Sequence, residues 1–383
     1  VGAVASLLVF AVGRGSTLAA GALGQIVGQR LEDLSRIDVG RADRRNLLRI
    51  RRQVEQRLSE RMLTEKFDEF RKEFELVGEA VRQGNIWEEF RRAGVDVSGY
   101  RMLAPYLKSL KHLEAADEFK PLLAPLPLWR SAVSPPVLAT ALAMEFPHFS
   151  EIAGDIAHFV AGGAQASVRP VLLVGPAGIG KDSLLRRAAE LVGRPYGEYD
   201  VAGSSDNRII KGTSKGWSSA SPGHAATICA RYRCANPLLV YSELDRAGGS
   251  RRNGMVNEAF LGLCEPSTRA RWYDDGLGTE LDLTEVAVAF SSNGVDDTPG
   301  PLLTRLRVIQ LERPKPEHVA QILQQARRRL AAELRVPADS LPDPAPQLVE
   351  RLEAVAKQGR FHLRLADRVV RALGPPMSNS PLN

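Results

Sequence analysis

The sequence predicts an α/β fold, a parallel sheet flanked by helices, with helical regions before and after it. Residues 171–174 (Val-Leu-Leu-Val) read as a short buried strand. They run straight into a glycine-rich loop and an amphipathic helix marked by Leu184, Leu185, Ala188 and Leu191. Apolar runs of strand length recur at 237–241, 286–290 and 308–311, separated by helical patterns. On either side, residues 41–93 and 319–373 repeat apolar residues at three- and four-residue steps.

Composition narrows the class. A chain of 383 residues has length for two or three domains and ample material for a core. Its 44% apolar and 25% charged content is that of an ordinary globular protein. The net charge of +6 is mild for this length; it permits an acidic partner without requiring one. Cys229, Cys234 and Cys264 form no C-x-x-C pair and have no histidines at ligand spacing, so free thiols in a reducing compartment, a cytoplasmic setting, are expected.

Residues 1–13 are almost wholly apolar and end at Arg14. They are shorter than the about 20 residues that span a bilayer, so they read as a buried or interfacial helix or as part of a membrane anchor. From residue 41 to 93 the chain reads as helical and partly coiled-coil, with Leu47, Ile50, Val54, Leu58 and Met62 on one face. Arg41, Arg44, Arg45, Arg49, Arg51 and Arg52 make its densest basic run: a solvated helix face, or a contact for nucleic acid or anionic lipid. Pro121, Pro125, Pro127, Pro135 and Pro136 predict an extended linker and a domain boundary.

The loop after the first strand carries chemistry. Gly175-Pro176-Ala177-Gly178-Ile179-Gly180-Lys181 has the spacing of a phosphate-binding loop. Glycines let successive backbone amides curl around a polyphosphate, the following helix N-terminus adds positive potential, and the lysine reaches the outer phosphates. A nucleotide hydrolase built on such a sheet also needs a carboxylate to orient water, a polar group near the γ-phosphate and a positive charge for the transition state. Candidates follow in order: Glu243 in Ser242-Glu243-Leu244-Asp245, Asn293 after the strand at 286–290, and Arg305.

These motifs resemble the AAA+ ATPases, and among them the ATPase module of the Lon protease family. The resemblance runs from Phe146 to Leu373. Residues 175–184 resemble the family's phosphate loop, and Asn236-Pro237 through Asp245 its second motif. Asn293 and residues 299–305 resemble its sensor and arginine-finger segment. Residues 210–223, with Trp217 before Ala220-Ser221-Pro222-Gly223, resemble its pore loop.

The sequence pattern divides off a helical N-terminal region (1–120), a proline-rich linker (121–145) and a disordered tail (374–383), and the resemblance implies an AAA+ core (146–312) and a helical lid (313–373). It implies ATP and Mg²⁺ as cofactors, with the nucleotide held by Gly175 to Lys181, Asp182, Ser183 and a lid arginine, Arg360, with Arg364 the other candidate. Lys181 would bind the β- and γ-phosphates, Glu243 orient water, Asn293 sense the γ-phosphate, Arg305 reach a neighbour's nucleotide, and Trp217 grip substrate polypeptide. The partners implied are further copies in a ring, a hexamer, and a protein substrate. A Ser–Lys proteolytic domain is not expected within these residues, so a separate protease is a possible partner.

Two positions depart from the family. The loop hydroxyl is Asp182, and the first acid of the second motif is Ser242. In the family these positions lie together under Mg²⁺, hydroxyl against carboxylate; here the types are exchanged, which keeps the charge. The exchange leaves two expectations, an ATPase that remodels protein and a regulatory protein that binds nucleotide without turnover; the basic run adds a third, a nucleic-acid remodeller.

Overall fold

The computed structural model describes residues 99–373 apart from 108, 124, 163–168, 205–206, 215–219 and 251–253. The N-terminal region through residue 98, with its apolar start and arginine run, lies outside the described residues, as do Trp217 and the tail. Among the described residues no helix is long and apolar enough to cross a membrane.

The centre is a five-stranded parallel sheet. In chain order its strands are β1 (Val171–Val174), β2 (Tyr196–Asp200), β3 (Leu238–Ser242), β6 (Ala287–Ser292) and β7 (Arg307–Gln310). A short antiparallel hairpin, β4 (Trp272–Asp274) with β5 (Thr279–Leu281), stands apart from it. The strand order is β7-β1-β6-β3-β2, with every pairing parallel. β1, β3 and β6 are buried at every residue, as strands covered by helices on both faces must be. The pleat sorts their side chains: Val171, Leu173, Leu238 and Val240 enter one cluster, and Leu172, Val174, Leu239 and Tyr241 the other.

Against the first face pack α1 (Pro135–Glu145), α2 (Ala153–Ala161) and α3 (Lys181–Val192). Against the second pack α4 (His224–Tyr232) and α5 (Val256–Cys264). Three C-terminal helices, α6 (Val319–Leu334), α7 (Pro346–Lys357) and α8 (Leu363–Leu373), form the lid and join the first cluster. Gln321 and Gln325 tie α6 to α1, both donating to Met144 O, at 2.9 and 3.0 Å. That carbonyl lies in the last turn of α1, where no intrahelical donor reaches it.

Residues 121–145 do not run as an extended linker. Lys120–Leu123 is a 3₁₀ turn, Leu126–Pro127 pairs with Tyr100–Arg101, and Pro135 and Pro136 open α1. A proline in the first helical turn gives up an amide hydrogen that has no partner there anyway. The intervening leucines decide the packing. Leu122 and Leu126, with Leu103 and Leu113 before them, are buried with α4 and α5.

Candidate functional site

The glycine-rich loop leaves the carboxyl end of β1 and turns into α3. Gly178 and Gly180 sit at φ +80° and +95°, a region closed to most side chains. A Cβ at Gly180 would also stand 2.8 Å from Leu363 at the start of α8. That helix touches the loop through its backbone, Leu363 N–H donating to Gly178 O at 3.1 Å.

Lys181 is the first residue of α3 and is 7% exposed. Its Nζ donates to Gly175 O (2.6 Å), Pro176 O (3.2 Å) and Asn293 Oδ1 (3.1 Å). Burial pushes its pKa down, against the opposing pull of Asp182, Asp245 and Glu243. Asn293, just past β6, is held in turn by Asp245. Its backbone N–H donates to Oδ1 and its Nδ2 to Oδ2, each at 3.2 Å. Burial raises the Asp245 pKa, but the bonds from Asn293 and Ser292 outweigh it and hold the carboxyl below its usual value. A chain of contacts thus joins loop, β6 and the end of β3, placing Lys181 and Asn293 together.

The exchanged pair is also in contact. Ser242 Oγ donates toward Asp182 Oδ1 at 3.2 Å. Glu243 follows at φ 58°, ψ 45°, a conformation uncommon for a residue with a side chain. Its Oε2 accepts from Arg246 Nη1 at 2.7 Å.

No protein-family model matches the chain. It is 35% identical over 141 residues to a Lon protease of Magnetococcus marinus and 32% identical over 164 residues to Lon protease 2 of Hydrogenovibrio crunogenus. Over these stretches the chain is similar to Lon proteases, the family whose ATPase module its motifs resemble. A mitochondrial Lon homologue of Neurospora crassa is 28% identical over 284 residues, 69% of this chain. The two bacterial matches cover 37% and 42% of this chain. The chain spans 17%, 19% and 25% of the lengths of these three relatives. A solved structure described as the closed state of Hsp104 with ATPyS and FITC casein superposes with a TM-score of 0.49 at 14% identity. That superposition covers 62% of this chain and 46% of the other.

Elsewhere in the module the expected residues are spread out. Arg305 bonds within its own chain, Nε to Glu265 Oε2 and Nη1 to Pro301 O, both at 2.8 Å. Arg360 is exposed just past Gly359 (φ +67°), which ends α7 and turns the chain away. Arg364, in the first turn of α8, instead lines a cleft of about 810 Å³ with Gly178, Gly180, Lys181 and Asp182. Arg364 lines this cleft with the phosphate loop, and Arg360 does not line it. Ile179 is buried, whereas Ala177 and Ser183 are exposed at the loop's outer edge.

Three groups were not legible as site residues. Glu198 reaches Ser242 from β2, a polar edge strand with no apolar run to announce it. Asp274 lies in the hairpin and is fully buried. It accepts from Gly223 N and Leu277 N, both at 2.9 Å, and so ties down the base of the segment that carries Trp217. His148 places Nε2 2.9 Å from Ile179 O in the phosphate loop, while its Nδ1 is buried without a hydrogen-bond partner.

That orphan nitrogen implies acid sensitivity. Burial first, then His318, drives the His148 pKa to about 4, against the bond to Ile179; burial and Arg231 do the same for His224. A histidine with a depressed folded pKa stabilises the fold above its unfolded value of about 6.5. That stability is lost as pH falls toward 4, about 3 kcal/mol for each. Asp274 runs the opposite way: burial raises it to about 6, so acidification through that window relieves about 3 kcal/mol. The balance is a net loss of about 3 kcal/mol between pH 6.5 and 4, readable by urea denaturation. His148→Gln should flatten the curve, and an equally steep curve in that variant would remove His148 from the account.

Proposed function

We propose that this module binds ATP with Mg²⁺ and hydrolyses it to pull on a protein substrate within a ring of identical subunits. The observation that carries this reading is the Lys181–Asn293–Asp245 chain at the carboxyl ends of β1, β6 and β3. Open α/β sheets bind ligands outside those strand ends. The Lys181 ammonium spends its hydrogen bonds on carbonyl oxygens and Asn293 rather than on a carboxylate, so no direct ion pair has to break when a phosphate binds.

The residues present fit a nucleotide and its metal. The loop amides, Lys181 and the N-terminus of α3 suit the phosphates, and Arg364 stands across the cleft. Among the described residues no three or more His, Cys, Asp or Glu gather to hold a metal ion. Magnesium in such sites takes one or two protein oxygens, the rest coming from phosphate and water, so Asp182 with Ser242 is a sufficient donor set. When bound, the ion would neutralise charge on the phosphates. In this reading Glu243 holds the attacking water, Asn293 bonds a terminal oxygen, Arg305 acts on a neighbour's nucleotide, and Trp217 contacts substrate. A second reading, a nucleotide-responsive regulator without turnover, rests on the exchanged metal-site pair, Asp182 and Ser242.

Phosphate release with and without Mg²⁺ separates the two readings. Arg305→Ala should bind ATP as the parent does but lose turnover about 10³-fold, as removal of an arginine finger does. Mixing it with Glu243→Gln protein should restore part of the activity, because each protein supplies the group the other lacks. No recovery in mixed assemblies shown to form would refute a shared site.

A further inference from the structure

The Ser242 hydroxyl has one proton and two carboxylates within reach. Asp182 Oδ1 lies at 3.2 Å on one side and Glu198 Oε1 at 3.3 Å on the other. A hydroxyl donates well to only one of them at a time.

The two acceptors differ in how they are held. Glu198 is fixed without Ser242: its Oε2 accepts from Tyr196 OH at 2.8 Å and from Arg186 Nη2 at 2.5 Å. The Arg186 bond is charge-assisted and neutralises the carboxylate, which makes Glu198 a poor metal ligand but a steady hydrogen-bond acceptor. Its Oε1 is thereby aimed at β3. Asp182, half-buried in the first turn of α3, has no comparable anchor beyond Ser242 among the described residues.

We propose that Glu198 is a positioning residue for the cation: it takes over the Ser242 proton when Asp182 turns its oxygen to Mg²⁺. With the proton directed at Glu198, the lone pairs of Ser242 Oγ face the Asp182 side and can hold the ion or one of its waters. Without that alternative acceptor, the hydroxyl stays on Asp182 and competes with the ion for the same carboxylate. The hydrogen bond changes acceptor and no proton leaves Ser242. The inference rests on Asp182 as the cation's protein ligand and adds how the strand hydroxyl is made available.

Glutamine at 198 gives a sharp test because it keeps the shape. Arg186 and Tyr196 are both donors, so the amide oxygen must face them. The amide NH₂ then faces Ser242 and forces its hydroxyl onto Asp182. The affinity of the full chain for a fluorescent ATP derivative is measured in EDTA and over a series of free Mg²⁺ concentrations. Glu198→Gln should leave the metal-free affinity within about twofold and raise the Mg²⁺ concentration for half-maximal enhancement about three- to tenfold. Glu198→Ala, which only removes the acceptor, should shift it less than Gln. In a Ser242→Ala background the Glu198 substitutions should add nothing, since the shared hydroxyl is gone. Equal losses with and without metal, or additive effects in the double variant, would overturn the role of Glu198 while leaving Asp182 as ligand. A parent affinity indifferent to Mg²⁺ would instead remove the cation reading on which both rest.

Discussion

Replacing Glu243 by glutamine is expected to lower ATP turnover by about 10²- to 10⁴-fold, the usual contribution of a positioned general base. Glutamine keeps the volume and can still bond a water, but it cannot accept that water's proton. The geometry supplies the reason this residue is exposed to the task. Ser242 ends β3 fully inside the sheet, and the left-handed turn at Glu243 swings the next side chain out of the strand direction. Affinity for ATP should hold or rise in the variant, because one negative charge is removed from beside the phosphates. Turnover that persists in Glu243→Gln within tenfold of the parent would exclude the carboxylate as the base.

The contact between Glu243 and Arg246 bears on the same measurement. The pair is partly exposed, with side-chain exposures of 35% and 62%, so it is a weak interaction of the kind that water screens. It cannot hold the carboxylate against a site that needs it. Arg246→Ala should therefore change turnover far less than Glu243→Gln does.

Much of the core was legible because its signals are local. The strands at 171–174, 237–241 and 286–290 are apolar throughout, as buried parallel strands must be, and each was placed to within two residues. The lid helices α6 and α8 announce themselves by amphipathic periodicity. What escaped is non-local. β2 is polar because it is an edge strand, so Glu198 could not be seen approaching Ser242 from the neighbouring strand. Asp274 reads as the first of two adjacent acids, and only the docking of a hairpin under a loop makes it buried. The choice between Arg360 and Arg364 depended on where Gly359 turns the chain, a conformation that spacing alone does not give. Prolines misled for the opposite reason: Pro135 and Pro136 mark the start of a helix as readily as a linker.

Lys181→Met should separate binding from stability. The lysine is expected to supply a charge-assisted contact to phosphate, and its loss should weaken ATP affinity by about 10- to 150-fold. The fold should not suffer to match. The pKa of Lys181 is lowered because burial outweighs the attraction of Asp182, Asp245 and Glu243, so the surroundings disfavour the charge in the absence of a ligand. Methionine fills the same space without an ion to desolvate. Asn293 keeps its place, since both of its bonds to Asp245 survive. The carbonyls of Gly175 and Pro176 lose a donor, which offsets part of that gain. The unfolding midpoint of the ligand-free variant should therefore equal or exceed that of the parent, while the stabilisation that saturating ATP confers on the parent should largely vanish. Affinity equal to the parent's would defeat the phosphate-loop reading. A loss of stability as large as the loss of binding would make Lys181 a structural pin for the loop, with its position at the cleft incidental.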